Sequence, residues 1–166
     1  MSMKASSAVP WLLAAARIVM GAFFLYEASN QLRKGWLGGD GLERMIRSAL
    51  DDDGVLPPYR WFLEHVVLPH DQSFTALALA GELAVGVVLV AGLATRPALL
   101  TALFMNVNFL LMNGLTAGGA VDAVFIALEV ALLRYARVLP LSADAALASW
   151  RPTARFFPPF VVDRAR

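Results

Sequence analysis

Three ionisable residues lie deep inside apolar runs: Arg17 within residues 9–29, Glu82 within 74–94 and Glu129 within 120–139. A charge near the middle of a bilayer costs roughly 3 kcal/mol on insertion scales unless a partner or a water-filled cavity receives it. Counting about 1.5 Å of rise per residue from the centre of each run brings these three within about 6 Å of one another in depth, together with Asn106 of the run 97–115. One guanidinium, two carboxylates and an amide at a single level can do two kinds of work. They can lock helix register through a bidentate ion-pair network. They can also hold a small oxyanion or an anionic intermediate against an Arg17 poised between Glu82 and Glu129.

A second polar layer is expected roughly 10 Å further toward one face. It gathers Glu27, Asn113 and Asp122, with Tyr26, Asn30 and Gln31 beside them. Asp122 and Glu129 are two helical turns apart and share a face, and Asn106 and Asn113 repeat that spacing. Glu27 and Asp122 have no basic residue at their depth, so they protonate, reach Arg33 or Lys34, or face a hydrated pocket. A carboxylic acid at the mouth of an apolar cavity can exchange protons with a quinone or another amphipathic ligand, with Asn113 donating a hydrogen bond. Trp36 and Trp61 suit interfacial anchors and also the wall of such a pocket.

The elements that must position these groups follow from composition. With 58% hydrophobic and 16% charged residues, the 166-residue chain is more apolar than a soluble domain of its size needs to be. The runs 9–29, 74–94, 97–115 and 120–139 each approach the roughly 20 residues that cross about 30 Å of hydrocarbon as a helix. The expected fold is all-α: a polytopic membrane protein in which residues 1–145 form an antiparallel four-transmembrane-helix bundle and 146–166 a basic tail. The stretches 92–97 and 116–119 supply the short turns. Residues 31–73 form one long extracytoplasmic excursion. It is expected to carry two short amphipathic helices at the outer mouth, one over 42–50 and one over 59–68 that ends at Pro69. Asp51 to Gly54 reads as a solvated turn rather than a calcium loop, because the remaining ligands are missing. Basic residues favour the side holding both tails and Arg96, which places both termini in the cytoplasm and the chain in the cell membrane.

Several chemistries are excluded. The chain has no cysteine, hence no thiolate nucleophile, disulfide or iron–sulfur ligation of its own. His65 and His70 both fall outside the apolar runs, so no axial ligand for a membrane haem is expected, and no metal site either. No basic stripe exists to attract nucleic acid. The first apolar run contains Arg17 and lacks a small-residue cleavage site, so it reads as a retained membrane helix.

Four stretches carry a family likeness: Arg17-Ile-Val-Met-Gly21-Ala-Phe-Phe24-Leu, Gly81-Glu82-Leu-Ala-Val-Gly86, Gly92-Leu-Ala-Thr95-Arg96 and Leu141-Ser142-Ala-Asp144. Together they resemble the DoxX/DoxD family over nearly all of residues 11–144. The resemblance implies a small four-helix membrane protein, and its DoxD type is the small membrane subunit of thiosulfate:quinone oxidoreductase. The outer segment with Trp61-Phe62-Leu63 looks more like the DoxD type, while other members are membrane partners in oxidative-stress complexes. Ala28 and Gln31 stand where the family commonly has glycine and lysine, so an anion contact by that lysine does not carry over.

The reading that results is a subunit or auxiliary of a quinone-linked oxidoreductase. It works in the lipid bilayer beside a second subunit or as a homo-oligomer. Arg17, Glu82, Glu129, Glu27 and Asp122 would carry the chemistry, and Asn106, Asn113, Trp36 and Trp61 would hold the quinone. Two other functions compete with it. One is a non-catalytic scaffold recruiting redox or stress-response partners through the tail from Trp150, with its Phe156-Phe-Pro-Pro-Phe160 segment. The other is a small-solute or lipid conduit along the same polar stripes.

Overall fold

Proline and glycine set the ends of the long helices. The computed structural model describes residues 8–51, 54–114, 116–135 and 139–148. Its helices are α1 (Ala8–Arg33), α2 (Gly41–Asp51), α3 (Pro57–Phe62), α4 (Asp71–Ala91), α5 (Thr95–Asn113), α6 (Ala117–Tyr135) and α7 (Ala143–Ala148), and no strand occurs among the described residues. Pro10 and Pro97 sit in the first turns of α1 and α5, where no intrahelical N–H bond is lost. Gly92 stops α4 with a left-handed φ of 66°. The amphipathic segment expected over 42–50 is α2, whose Ile46 is buried. The tail beyond residue 148, the acidic residues 52 and 53, and Lys4 lie outside the described residues.

The second amphipathic segment differs from expectation. It does not form a separate helix ending at Pro69, because α3 runs through a π turn (Leu63–Val67) and a 3-10 turn (Leu68–His70) directly into α4. Pro69 lacks an N–H and crowds the carbonyl four residues back, which normally breaks a helix. Here the wide turn before it and the tight turn around it absorb that conflict. The path from Pro57 to Ala91 is therefore one 35-residue helical stretch.

Among the described residues, three stretches are long and apolar enough to cross a membrane: Ala8–Arg33, Pro57–Ala91 and Thr95–Asn113. α6 has the same 19-residue length as α5 but carries three charged residues, Asp122, Glu129 and Arg134, which set it apart. α1 packs chiefly on α4 and α5 chiefly on α6, α4 joins the two pairs, and α1 meets α6 more sparsely. The α1–α4 crossing is close because it is made on glycine. A Cβ on Gly21 would stand 2.9 Å from the Gly86 carbonyl oxygen, and one on Gly86 would stand 2.6 Å from Leu25 Cγ.

One core joins Met20, Phe24, Leu89, Leu99 and Leu132, and a second, beneath α2, joins Ile46, Val55, Leu63, Val67 and Met112. Tyr59 O–H donates to the Asn108 carbonyl at 3.0 Å, which pins the start of the long helix against α5. Outward, Leu12, Val19, Leu77, Phe104 and Val124 are exposed, whereas Arg17, Glu82, Asn106 and Glu129 are buried. Large apolar side chains outside and charges inside is the arrangement a lipid environment selects.

Candidate functional site

The buried polar groups separate into two assemblies. The first lies at the turn between α4 and α5. Arg17 is fully buried, and its Nη2 donates to the Leu141 carbonyl at 2.6 Å. Leu141 holds a left-handed φ of 53°, part of the turn that folds the segment back over this end. Ser142 Oγ and Asp144 N–H both donate to the Gly92 carbonyl, at 3.1 and 2.9 Å. The Asp144 carboxylate then receives the N–H groups of Ala94 at 2.7 Å and Thr95 at 2.8 Å, capping α5 from about fifty residues along the chain. Gly92 is required here on space as well as conformation, since a Cβ would overlap Arg17 Nη1 and stand 2.8 Å from Ser142 Cα. Asp144 also supplies the opposite charge that acts on Arg17.

The second assembly lies in the half of the helices nearer the 31–73 segment. Asn106 Nδ2 donates to Glu129 Oε1 at 2.6 Å, and Asn113 Nδ2 donates to Asp122 Oδ2 at 2.8 Å. The two equally spaced pairs thus form two rungs between α5 and α6. Across from them, Gln31 Nε2 donates to Glu82 Oε1 at 3.1 Å. Glu82 and Glu129 each keep Oε2 buried and without a hydrogen-bond partner. Between these groups is a cavity of about 170 Å³ bounded by Glu27, Gln31, Glu82, Asn106 and Asp122, with Phe23, Phe24, Phe109, Val121 and Phe125 as its apolar wall. Phe23 and Phe125 lie ring to ring at 4.7 Å across the sparse α1–α6 seam, and Phe23 and Val121 are also exposed on the outer surface. The cavity therefore borders the lipid-facing side.

Arg17 is not placed between Glu82 and Glu129, as depth alone suggested. It makes no hydrogen bond or ion pair with either and does not border the cavity. The reason is the lean of helical side chains toward their own N-terminus. α1 and α4 run in opposite directions, so Arg17 leans toward the Gly92 turn while Glu82 leans the other way. The same lean carries Glu27 down toward Glu82, and the two line one cavity.

The remaining candidates fall as follows. Glu129 is fully buried behind Asn106, off the cavity. Glu27 has no hydrogen-bond or ion-pair partner among the described residues, and neither Arg33 nor Lys34 pairs with it or with Asp122. The ion pairs between described residues, Asp40–Arg44, Glu43–Arg47 and Arg60–Glu64, all lie in the 31–73 segment. Asn113 borders a second groove, of about 470 Å³, beneath α2. Trp36 lies over Gly41, with indole atoms 2.5 Å from where a Cβ would stand. Trp61 is exposed and stacks on His65 at 5.2 Å. Neither tryptophan borders the cavity. Sequence reasoning gave no role to Gln31 or to the four phenylalanines. The four-residue step from Glu27 to Gln31 on one helix face was the available signal.

The sequence pattern of the DoxX family matches residues 12–114. The chain belongs to the DoxX family. With its apolar helices, this DoxX protein is a multi-pass membrane protein. The matched residues contain Arg17, Glu27, Gln31, Glu82 and Asn106 but end before α6 and Asp144, so the DoxX pattern covers the α1, α4 and α5 walls of the cavity and not its fourth wall. No curated protein and no solved structure matches the chain.

Proposed function

We propose that this DoxX protein is the membrane subunit of a quinone-linked oxidoreductase. In this reading it has four spans, the fourth being α6, and both chain ends are on the cytoplasmic side of the cell membrane. α6 supports a fourth span by its two faces: Val121, Val124 and Val130 are exposed while Glu129 is fully buried. The observation that carries the function is the cavity, lined by both carboxylates and phenylalanines and bordered by the surface-exposed Phe23 and Val121.

Its volume suits a single ring. A cavity of about 150 Å³ accommodates benzene, so about 170 Å³ would take a head group, and a tail would reach lipid past the half-exposed Val121 at the rim. A bound quinone supplies the capacity to take up two electrons and two protons. The chain's own residues supply the rest. Phe23, Phe24, Phe109 and Phe125 exclude water and flank a flat ring. Glu27 and Asp122 hold and release protons at their carboxylate oxygens, and Asn106 and Gln31 fix the orientation of Glu129 and Glu82. Arg17 acts on the turn rather than on the ring. With no cysteine, the chain brings no thiol or iron–sulfur carrier of its own. The electrons come from a partner subunit, with thiosulfate the donor suggested by the resemblance to the DoxD type.

The test is stoichiometric binding of a decyl-tailed quinone to the purified chain in nanodiscs of quinone-free lipid. Val121→Trp, placed at the half-exposed rim of the cavity, should plug it and lower binding at least about tenfold while the helical circular dichroism stays unchanged. Equal binding by wild type and Val121→Trp would remove the cavity from the function. Thiosulfate-driven quinone reduction, reconstituted with the partner, tests the donor.

A further inference from the structure

A cavity that exchanges protons needs a route to water, and two hollows in this bundle meet at one hydrogen bond. The first is the phenylalanine-lined cavity, which Asp122 borders. The second is the groove of about 470 Å³ beneath α2, which Asn113 borders. Asn113 Nδ2 donates to Asp122 Oδ2 at 2.8 Å, so along this line the wall between the hollows is a single side-chain contact. Gly118, where a Cβ would stand 3.4 Å from Asn113 Nδ2, adds no side chain to that wall. Asn113 and Asp122 are both half-buried, whereas Glu129 in the next rung is fully buried.

The two ends of the cavity differ in what they offer a proton. The groove carries Ser48, Asn113 and Thr116 in its wall beside Met45, Val55 and Met112. A water occupies about 30 Å³ and needs two to four polar partners, and the groove supplies both the room and the partners. Ser48 and Thr116 are exposed, so the groove opens on the side of the 31–73 segment. Toward the Gly92 turn the cavity is closed by apolar packing. Met20 of α1, Leu89 of α4, Leu99 of α5 and Leu132 of α6 are buried in one core, and each stands between its own helix's cavity residues and that turn. Such packing gives a charge no polar partner on its way.

We infer that the groove beneath α2 is the aqueous port of the cavity, with Asp122 as the group that passes protons inward and Asn113 as the positioning residue that holds Asp122 at the wall. The inference rests on the quinone reading for the use of those protons and adds to it the side from which they come. Asp122 gives the proton of its carboxyl O–H to a ring oxygen, which forms the ring O–H, and regains a proton from water in the groove. Two such transfers match the two electrons that the partner's thiosulfate-class donor supplies. Protons and ligand then use separate openings, the groove for one and the rim at Val121 for the other.

The experiment treats the full chain in nanodiscs with a quaternary-ammonium carbodiimide, which stays out of lipid, together with a nucleophilic amine, and follows each carboxyl group by peptide mass spectrometry. Wild type should be modified at Asp122, while Glu129, buried behind Asn106, is spared. Ser48→Trp fills the mouth of the groove from an exposed position on α2. It should slow modification of Asp122 at least about tenfold, since it takes the room that water needs. The same variant should bind the decyl-tailed quinone as wild type does, because Ser48 does not border the cavity. An unreactive Asp122 in wild type overturns the port without any variant, so a misfolded Ser48→Trp would not shield it. Modification of Asp122 at the wild-type rate in folded Ser48→Trp also overturns it, as does loss of quinone binding there. Absence of quinone binding by wild type, with Asp122 still reached through the groove, overturns the quinone reading and leaves the route to Asp122 standing.

Discussion

At the Gly92 turn, a buried guanidinium is closed over by backbone: Leu141 accepts from it, Gly92 presses against it, and Asp144 caps the neighbouring helix. In the other half of the same helices, Glu82 borders a cavity and Glu129 is buried behind Asn106. Both assemblies retain unpaired atoms, Nε and Nη1 of Arg17 in one and Oε2 of Glu82 and of Glu129 in the other. Unsatisfied burial therefore does not distinguish a structural network from a binding site. What separates them is the cavity, which Glu82 borders and Arg17 does not.

The comparison is broken most severely at Arg17. Arg17→Ala should destabilise the protein by about 3–5 kcal/mol, because it removes one partner of a buried charged arrangement and leaves a void. Thermal unfolding in detergent reads this, and the fraction that remains folded should bind the decyl-tailed quinone as wild type does. Lost binding in a fully stable Arg17→Ala protein would instead return Arg17 to the chemistry. A smaller effect is expected at Asp144. Removing its two N–H contacts with Asp144→Ala should cost about 1–2 kcal/mol, the upper range for a helix cap. Asp144→Asn should recover part of that, since an amide oxygen still accepts. The smallest effect sharpens the contrast from outside both assemblies. Trp61→Ala, at an exposed stack on His65, should change stability by less than about 0.5 kcal/mol and leave quinone affinity untouched. A drop in affinity there would mean that the outer segment covers the cavity.

Much of this was legible from residue order. Apolar runs with proline at one end and glycine at the other mark the long helices, and the seven-residue steps Asn106–Asn113 and Asp122–Glu129 are the two rungs joining α5 to α6. Gly21 and Gly86, each inside one of the family-like stretches, meet each other where α1 crosses α4. What sequence could not carry is direction. Counting along a helix fixes depth at the Cα, whereas a long side chain reaches another level, toward its helix N-terminus. That is why Arg17 and Glu82 share a depth and part company. Nor did the order of residues show Asp144 as the cap of a helix that begins at Thr95, since the bond spans 49 residues. Pro69 marked a boundary by the ordinary rule, and a π turn followed by a 3-10 turn carried the helix across it.

The bond from Arg17 to Leu141 spans 124 positions. Its donor is made early in synthesis and its acceptor late. At about 5–20 residues per second, roughly 6–25 s pass between the two leaving the ribosome's active centre. For that interval the first hydrophobic helix carries a guanidinium with no acceptor of its own. The finished protein conceals this obligation, but the cell's insertion machinery meets it every time, and a chain truncated before Leu141 would retain the exposed charge that quality control is built to find.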